Sequence, residues 1–446
     1  MANWPHVQGN NSRTACADYA TFADTIAWEH TFEVGVPFGE YILTAGQPVV
    51  SVGGYVWVII QDFAATRDYL MCFNSAGTVQ SKTRLLDPNE GDANELTQNL
   101  VTTATDQCIV TFRTGLRCFQ TDGTEDWSYD TGAASAMGCA SPCVGSDGRV
   151  WFMRYSATTG KADIVALTSA GVLDTTINSP QYPPTNGSME AGLCLTDTHV
   201  YTIERDTETP DPSQVNSLAK WDISTGLIAW RQDFTTSDMG NPFLAPSIYN
   251  GHCYLCGESR SGGGVGNPDL TVCVNDADGT VDWVSPFMSI RMVNDVFVTP
   301  GWDGPPVDPV TGYIFVAVGN YLTANDRLVA LDPADGTVVW TYTDAAEGQA
   351  YGNQTPVIGN DGYLCIPMTN LLRIKISDGS LSYKATLTGY SGCIGPALSE
   401  DYVYVGANDG VGGPDKLFAL NLAAAPGPTH VYNPFGSILI NVDKGA

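Results

Sequence analysis

The sequence predicts an all-β fold, an eight-bladed β-propeller of four-stranded antiparallel blades, formed by residues 1–446 as one domain. Three observations predict it. A phrase of alternating apolar and polar residues that ends on a turn glycine recurs along the chain. An aromatic residue follows most of these glycines by four positions. A second strand–turn–strand signal precedes each phrase. Self-similarity at a fixed period is the signature of a repeat architecture, and a repeating unit of two hairpins is a propeller blade.

Taken in order, LMCFNSAG ends at Gly77, LRCFQTDG at Gly123 and IVALTSAG at Gly171. LAKWDISTG ends at Gly226, TVCVNDADG at Gly279, LVALDPADG at Gly336 and LRIKISDG at Gly379, and an eighth copy, LFALNLAAAPG, ends at Gly427. Each turn runs through Asp, Asn or Ser into glycine, the residue that adopts a left-handed backbone without steric cost. Four residues on stand Trp127, Trp230, Trp283, Trp340 and Tyr383, while Ser81 and Thr175 hold the place in the first and third copies. An aromatic side chain at one repeated place buries a large area between neighbouring units. The preceding hairpins include PVVSVGGYVWVI from Pro48, PCVGSDGRVWF from Pro142 and PVIGNDGYLCI from Pro356.

The last unit lacks a Trp-bearing outer strand of its own. TIAWEHTF, residues 25–32, supplies one with Trp28 in the matching place. The N-terminal strand is therefore expected to complete the last blade and close the ring, which removes a free sheet edge at the seam. Residues 430–446 are then expected to form a C-terminal strap. An irregular last unit would reduce the count to seven blades.

Composition bounds the function. Asp and Glu number 48 and Lys and Arg only 20, a net charge of −28 that comes from scarce cations. Such a chain is repelled by polyanions, so nucleic-acid binding is not expected. No run approaches the roughly 18 apolar residues of a membrane span, and membrane insertion is not expected. The opening MANWPHVQGNNSRTAC has neither the basic start nor the apolar core of a signal peptide, which points to a virion or cytoplasmic setting. The twelve cysteines are expected to be reduced, buried fillers. Cys253 and Cys256 form a C-x-x-C within a strand-like run, where residues three apart face opposite sides, so neither redox pairing nor shared metal ligation is expected.

The phrase carried by Ala330, Asp332, Gly336 and Trp340 resembles the repeat of the pyrroloquinoline-quinone (quinoprotein-like) propeller family. The opening Trp4-Pro5 with Asn10, Arg13 and Thr14 is also similar to the start of many such chains. The resemblance covers nearly the whole sequence and implies the propeller fold. It implies two kinds of function, quinone dehydrogenases and non-catalytic scaffolds of envelope assembly. In the dehydrogenases a stretch similar to residues 301–320 holds a tryptophan that stacks on the quinone, an Asp-Pro turn and a calcium-ligating Asn. Trp302 falls on the cofactor-binding place, Asp308-Pro309 on the turn and Asn320 on the metal place. The adjacent cysteines and the aspartate base of those enzymes are not found; the corresponding region reads YTDAAEGQAYGNQTP. Without a base, hydride abstraction from an alcohol has no proton acceptor.

Other chemistry is thin. His6, His30, His199, His252 and His430 do not pair at metal spacing, and no catalytic residue is named. Asn275-Asp276-Ala277-Asp278-Gly279 resembles part of a calcium loop, but its place in the repeat makes it a hairpin turn. The insertions 204–216 and 259–269 fall within neighbouring units and are expected to project from one face. Together with 301–312 they are the expected contacts for protein or glycan partners. The sequence therefore favours a non-catalytic scaffold or interaction protein that takes no cofactor, with a virion structural component as its setting. Its counterpart is a dehydrogenase that uses pyrroloquinoline quinone and calcium.

Overall fold

The computed structural model describes residues 16–17, 21–32, 40–42, 48–62, 67–87, 91–92, 100–112, 115–131, 142–156, 161–178, 193–205, 216–234, 241–242, 246–258, 269–285, 305–318, 327–343, 356–359, 362–368, 370–385, 387, 392–399, 401–408 and 415–423. Every regular element among them is a β-strand. Eight antiparallel sheets follow one another along the chain. Blade 2 shows the plan: Leu100–Thr102, Cys108–Phe112, Gly115–Phe119 and Glu125–Asp130 form an up-and-down meander from the inner to the outer strand. Blades 1 and 5 carry the inner strand in two pieces, and among the described residues of blade 6 that edge is a bridge between Val307 and Ile314. Blade 7 gains Cys16–Ala17, paired in parallel with its first strand Val357–Gly359.

Blade 8 is closed from the other end of the chain. Thr21–Thr31 pairs antiparallel with Lys416–Ala423, setting Trp28 opposite Ala419. The strand starts four residues earlier than the sequence suggests. The ring thus holds eight blades, joined at the seam as expected. Residues 430–446 lie outside the described residues.

The core lies between blades. Buried clusters join blade 1 to 2, 2 to 3, 3 to 4, 4 to 5, 5 to 6 and 6 to 7, and a further one runs through blades 7, 8 and 1. Each blade is a sheet buried on both faces, which explains strands such as Val56–Asp62 that are apolar for most of their length.

The repeated glycine and tryptophan meet across these junctions. The Trp127 ring of blade 2 lies over Gly171 of blade 3, and its Nε1 donates to the Ser169 carbonyl at 3.0 Å. Trp230 pairs in the same way with Gly279 and the Asp276 carbonyl, Trp283 with Gly336 and the Pro333 carbonyl, and Trp340 with Gly379 and the Ile376 carbonyl. Trp28 makes the pairing across the seam, over Gly77 of blade 1 with its Nε1 2.9 Å from the Ser75 carbonyl. Two demands therefore fix the glycine. At Gly379 φ is 70°, and an added Cβ would sit 2.5 Å from a Trp340 ring carbon.

A β-bulge aims the ring. In blade 2, Phe119 faces Glu125 while the next residue inward, Cys118, faces Trp127, so Asp126 is the extra residue. Positions two and four after the glycine thereby come to lie on opposite faces of the sheet. The same register shift recurs in blades 1, 3, 4, 5, 6 and 7. Where Ser81 and Thr175 replace the aromatic, the following glycines meet Thr83 with Ser81 and Ile177 respectively.

Candidate functional site

An up-and-down blade puts its first and third turns on one face of the ring and its second turn on the other, together with the passage to the next blade. On the second face the strand ends lie far apart in sequence in three consecutive blades. Ten residues separate Arg205 from Asn216 in blade 4 and Glu258 from Asp269 in blade 5, and eight separate Val318 from Arg327 in blade 6. Only two separate Phe112 from Gly115 in blade 2. The insertions 204–216 and 259–269 thus leave from the same face of adjacent blades, although 206–215 and 259–268 themselves lie outside the described residues.

Of the segment 301–312, residues 305–312 are among those described. Its described part, from residue 305, is the inner edge of blade 6 and a hairpin turn on the opposite face. Val307 and Asp308 are buried, and Val307 bridges to Ile314. The Asp308 carboxylate accepts from the Thr311 backbone N–H at 2.8 Å and from its hydroxyl at 2.5 Å, and Gly312 turns with φ 76°. Asp-x-x-Thr-Gly is the local signal of this turn, because a short carboxylate caps the N–H three residues on. Asp308 is thus committed to its own turn and gives no support to a cofactor role. Trp302 and Asn320 lie outside the described residues.

The structural aromatics are placed between blades. Trp230 and Trp340 are buried, and Trp28, Trp127, Trp283 and Tyr383 are partly buried. Tyr383 packs into the cluster that joins blade 7 to blade 8.

Asp276, from the calcium-loop-like stretch, is part of an inter-blade clamp. Its carboxylate accepts from the Tyr201 hydroxyl at 2.8 Å and from Lys220 Nζ at 2.9 Å, both on blade 4. Lys220 is buried and also donates to the Asp276 carbonyl. Burial first, with Cys253 and Asp276 adding, pushes the Tyr201 phenol well above its ordinary range, so it stays a donor.

Cys72, Cys108, Cys118, Cys143, Cys194, Cys253, Cys256, Cys273, Cys365 and Cys393 are buried. Cys253 faces the blade 4 junction and Cys256 the blade 6 junction, on opposite sides of one strand. Burial pushes the Cys118 and Cys393 thiols up to about 12, which keeps them protonated and unreactive near neutrality.

Sequence reasoning missed one cluster. His252, Cys273 and Asp282 come from three successive strands of blade 5, and their ligand atoms lie within 4.8 Å of one another. They span thirty positions, so no short motif shows them. The only signal was that all three sit at equivalent places of the repeat.

Comparison with known proteins agrees with the architecture. The ring and its Trp–Gly junctions define a β-propeller built from pyrroloquinoline-quinone-like repeats. The chain belongs to the family described as outer membrane protein assembly factor BamB, whose pattern matches residues 184–424. No curated protein sequence matches it. Among solved structures it is similar to quinohemoprotein alcohol dehydrogenase from Comamonas testosteroni, with 11% identity, a TM-score of 0.64, and 97% of this chain and 82% of that one covered. A europium-containing methanol dehydrogenase gives 11% identity and a TM-score of 0.64, with 94% and 98% covered. BamB from Moraxella catarrhalis gives 13% identity and a TM-score of 0.48, with 91% and 99% covered. At these identities the likeness is one of fold. No helix among the described residues is long and apolar enough to cross a membrane.

Proposed function

We propose that the protein is a non-catalytic propeller scaffold that binds a protein partner through the face carrying the second turns of blades 4, 5 and 6. One observation carries this reading: the two longest of these connections, ten residues each, leave from adjacent blades 4 and 5 on one face of a closed ring, with eight residues beside them in blade 6 and seven in blade 8. A rigid ring holds such segments at fixed spacing, which lowers the ordering cost of binding. Membership of a family described as an assembly factor supports a partner-binding role. So does the use of carboxylates such as Asp276 and Asp308 in clamps and turns. A virion setting is the finer part of the reading and rests on composition, with 20 Lys and Arg in 446 residues.

The test replaces residues 206–215 and 259–268, singly and together, by the two-residue connection found between Phe112 and Gly115. Circular dichroism and the melting temperature report on the ring. A partner crosslinked to the parent protein in extracts of its source should be lost from the double variant while the fold persists. Capture that is equal in both would overturn the proposal.

A further inference from the structure

We propose that His252, Cys273 and Asp282 bind a divalent transition metal of the zinc class at the junction of blades 5 and 6. His252 opens the second strand of blade 5, Cys273 lies in the third, and Asp282 is the bulge residue of the fourth. An imidazole, a thiolate and a carboxylate form a mixed set that suits zinc, with a fourth place left for water. Zinc ligands stand roughly 3.5 Å apart, given metal–ligand bonds of about 2.0 to 2.3 Å. Here His252 Nε2 and Asp282 Oδ2 are 3.3 Å apart, and the full set lies within 4.8 Å. Small side-chain rotations close the remainder.

The histidine is oriented for the role. Its Nδ1 lies 3.0 Å from the Asn250 carbonyl, in a turn where Asn250 and Gly251 both have positive φ. A ring nitrogen this close to a carbonyl acts as a donor, which leaves Nε2 as the atom turned toward Asp282. Nε2 and the Asp282 carboxylate face each other at 3.3 Å, an arrangement that a shared proton or a bound cation completes. Metal-bound histidines commonly donate their other nitrogen to a carbonyl.

The repeat supplies a comparison. At the equivalent places blade 2 carries Gln107, Cys118 and Asp126, and Gln107 donates to Asp126 at 2.8 Å. Blade 3 carries Arg149, Ala166 and Asp174, with Arg149 and Asp174 paired at 3.3 Å. A link from the second to the fourth strand is therefore ordinary in this fold. Blade 5 departs from blade 2 in placing an imidazole nitrogen, where blade 2 has the Gln107 amide, beside the same pairing of cysteine and aspartate. Cys273 is buried, whereas the His252 and Asp282 side chains are about one-third exposed and open a path from solvent.

Metal entry breaks the Cys273 S–H bond, forms the S–metal bond and releases that proton to water, with no electron transferred. The thiolate and carboxylate together neutralise the dication.

The full-length, metal-free protein is titrated with cobalt(II) and then with zinc(II). The expected result is a sulfur-to-cobalt charge-transfer band that saturates near one metal per chain. About one proton is released with it, and zinc abolishes the band. Cys273→Ser should remove the band and Cys118→Ser should keep it. His252→Gln tests the site where Cys273→Ser disturbs folding, because blade 2 already holds glutamine at that place; it should weaken cobalt binding about tenfold or more. No band in the parent protein, or a band unchanged in Cys273→Ser and His252→Gln, overturns the proposal.

Discussion

The Trp–Gly pair is the smallest unit that carries the fold. Trp340 is buried between blades 6 and 7, and its Nε1 is 2.7 Å from the Ile376 carbonyl. Trp340→Ala should lower stability by about 3 to 5 kcal/mol, since it removes a large buried ring. Trp340→Phe should cost less, about 1 kcal/mol of which is the lost hydrogen bond. Gly379→Ala should cost at least about 1 to 2 kcal/mol from its left-handed backbone, with the clash against the Trp340 ring in addition. Chemical denaturation measures all three, and a neutral Gly379→Ala would contradict the account. Both residues of the pair were legible because they recur at fixed spacing. That the ring reaches forward to the next blade was not, because a bulge sets its direction and bulges leave no residue-type signature here: Gln80, Asp126, Asp174, Ala229, Asp282, Val339 and Ser382 all fill the extra place.

At the scale of the hairpin, the Asp-Gly-Thr/Ser turns form a repeated clamp. Asp122, Asp278, Asp335 and Asp378 each accept from the N–H and the hydroxyl of the residue two positions on. Hydroxyl and backbone hydrogen bonds hold the Asp222 and Asp378 carboxyls down to about 2. A carboxyl lowered in the folded state contributes stability above its unfolded value near 4 and loses it as pH falls toward 2. Urea midpoints measured from pH 5 to pH 2 should therefore fall across that window, and Asp222→Asn with Asp378→Asn should flatten the slope. An unchanged slope in the double variant would show that other groups govern the acid transition. The turns were legible from Asp, Gly and Thr alone. The closing strand was legible through Trp28, although its start at Thr21 was not, because Thr21 and Phe22 pair with Ala423 and Leu422 beyond an irregular step. The turn at Asp308-Pro309 was legible in the sequence, and the structure adds that Asp308 caps it through Thr311.

For the whole molecule, the ring is explained by repetition, and the proposed function rests on departures from it. Repeats fix which strands pair and which faces are buried. The long connections of blades 4, 5 and 6, and the His–Cys–Asp set of blade 5, are among the places where the pattern is broken, and a repeat search passes over them. The central functional claim is that this ring acts as a scaffold and does not use the quinone chemistry of similar folds. The most direct test titrates the purified protein with pyrroloquinoline quinone and calcium, and follows melting temperature and dye-linked alcohol oxidation. A ligand that binds the folded state raises the melting temperature as it saturates. The account predicts no saturable shift and no turnover; a saturable rise that Trp302→Ala abolishes, accompanied by dye reduction, would contradict it.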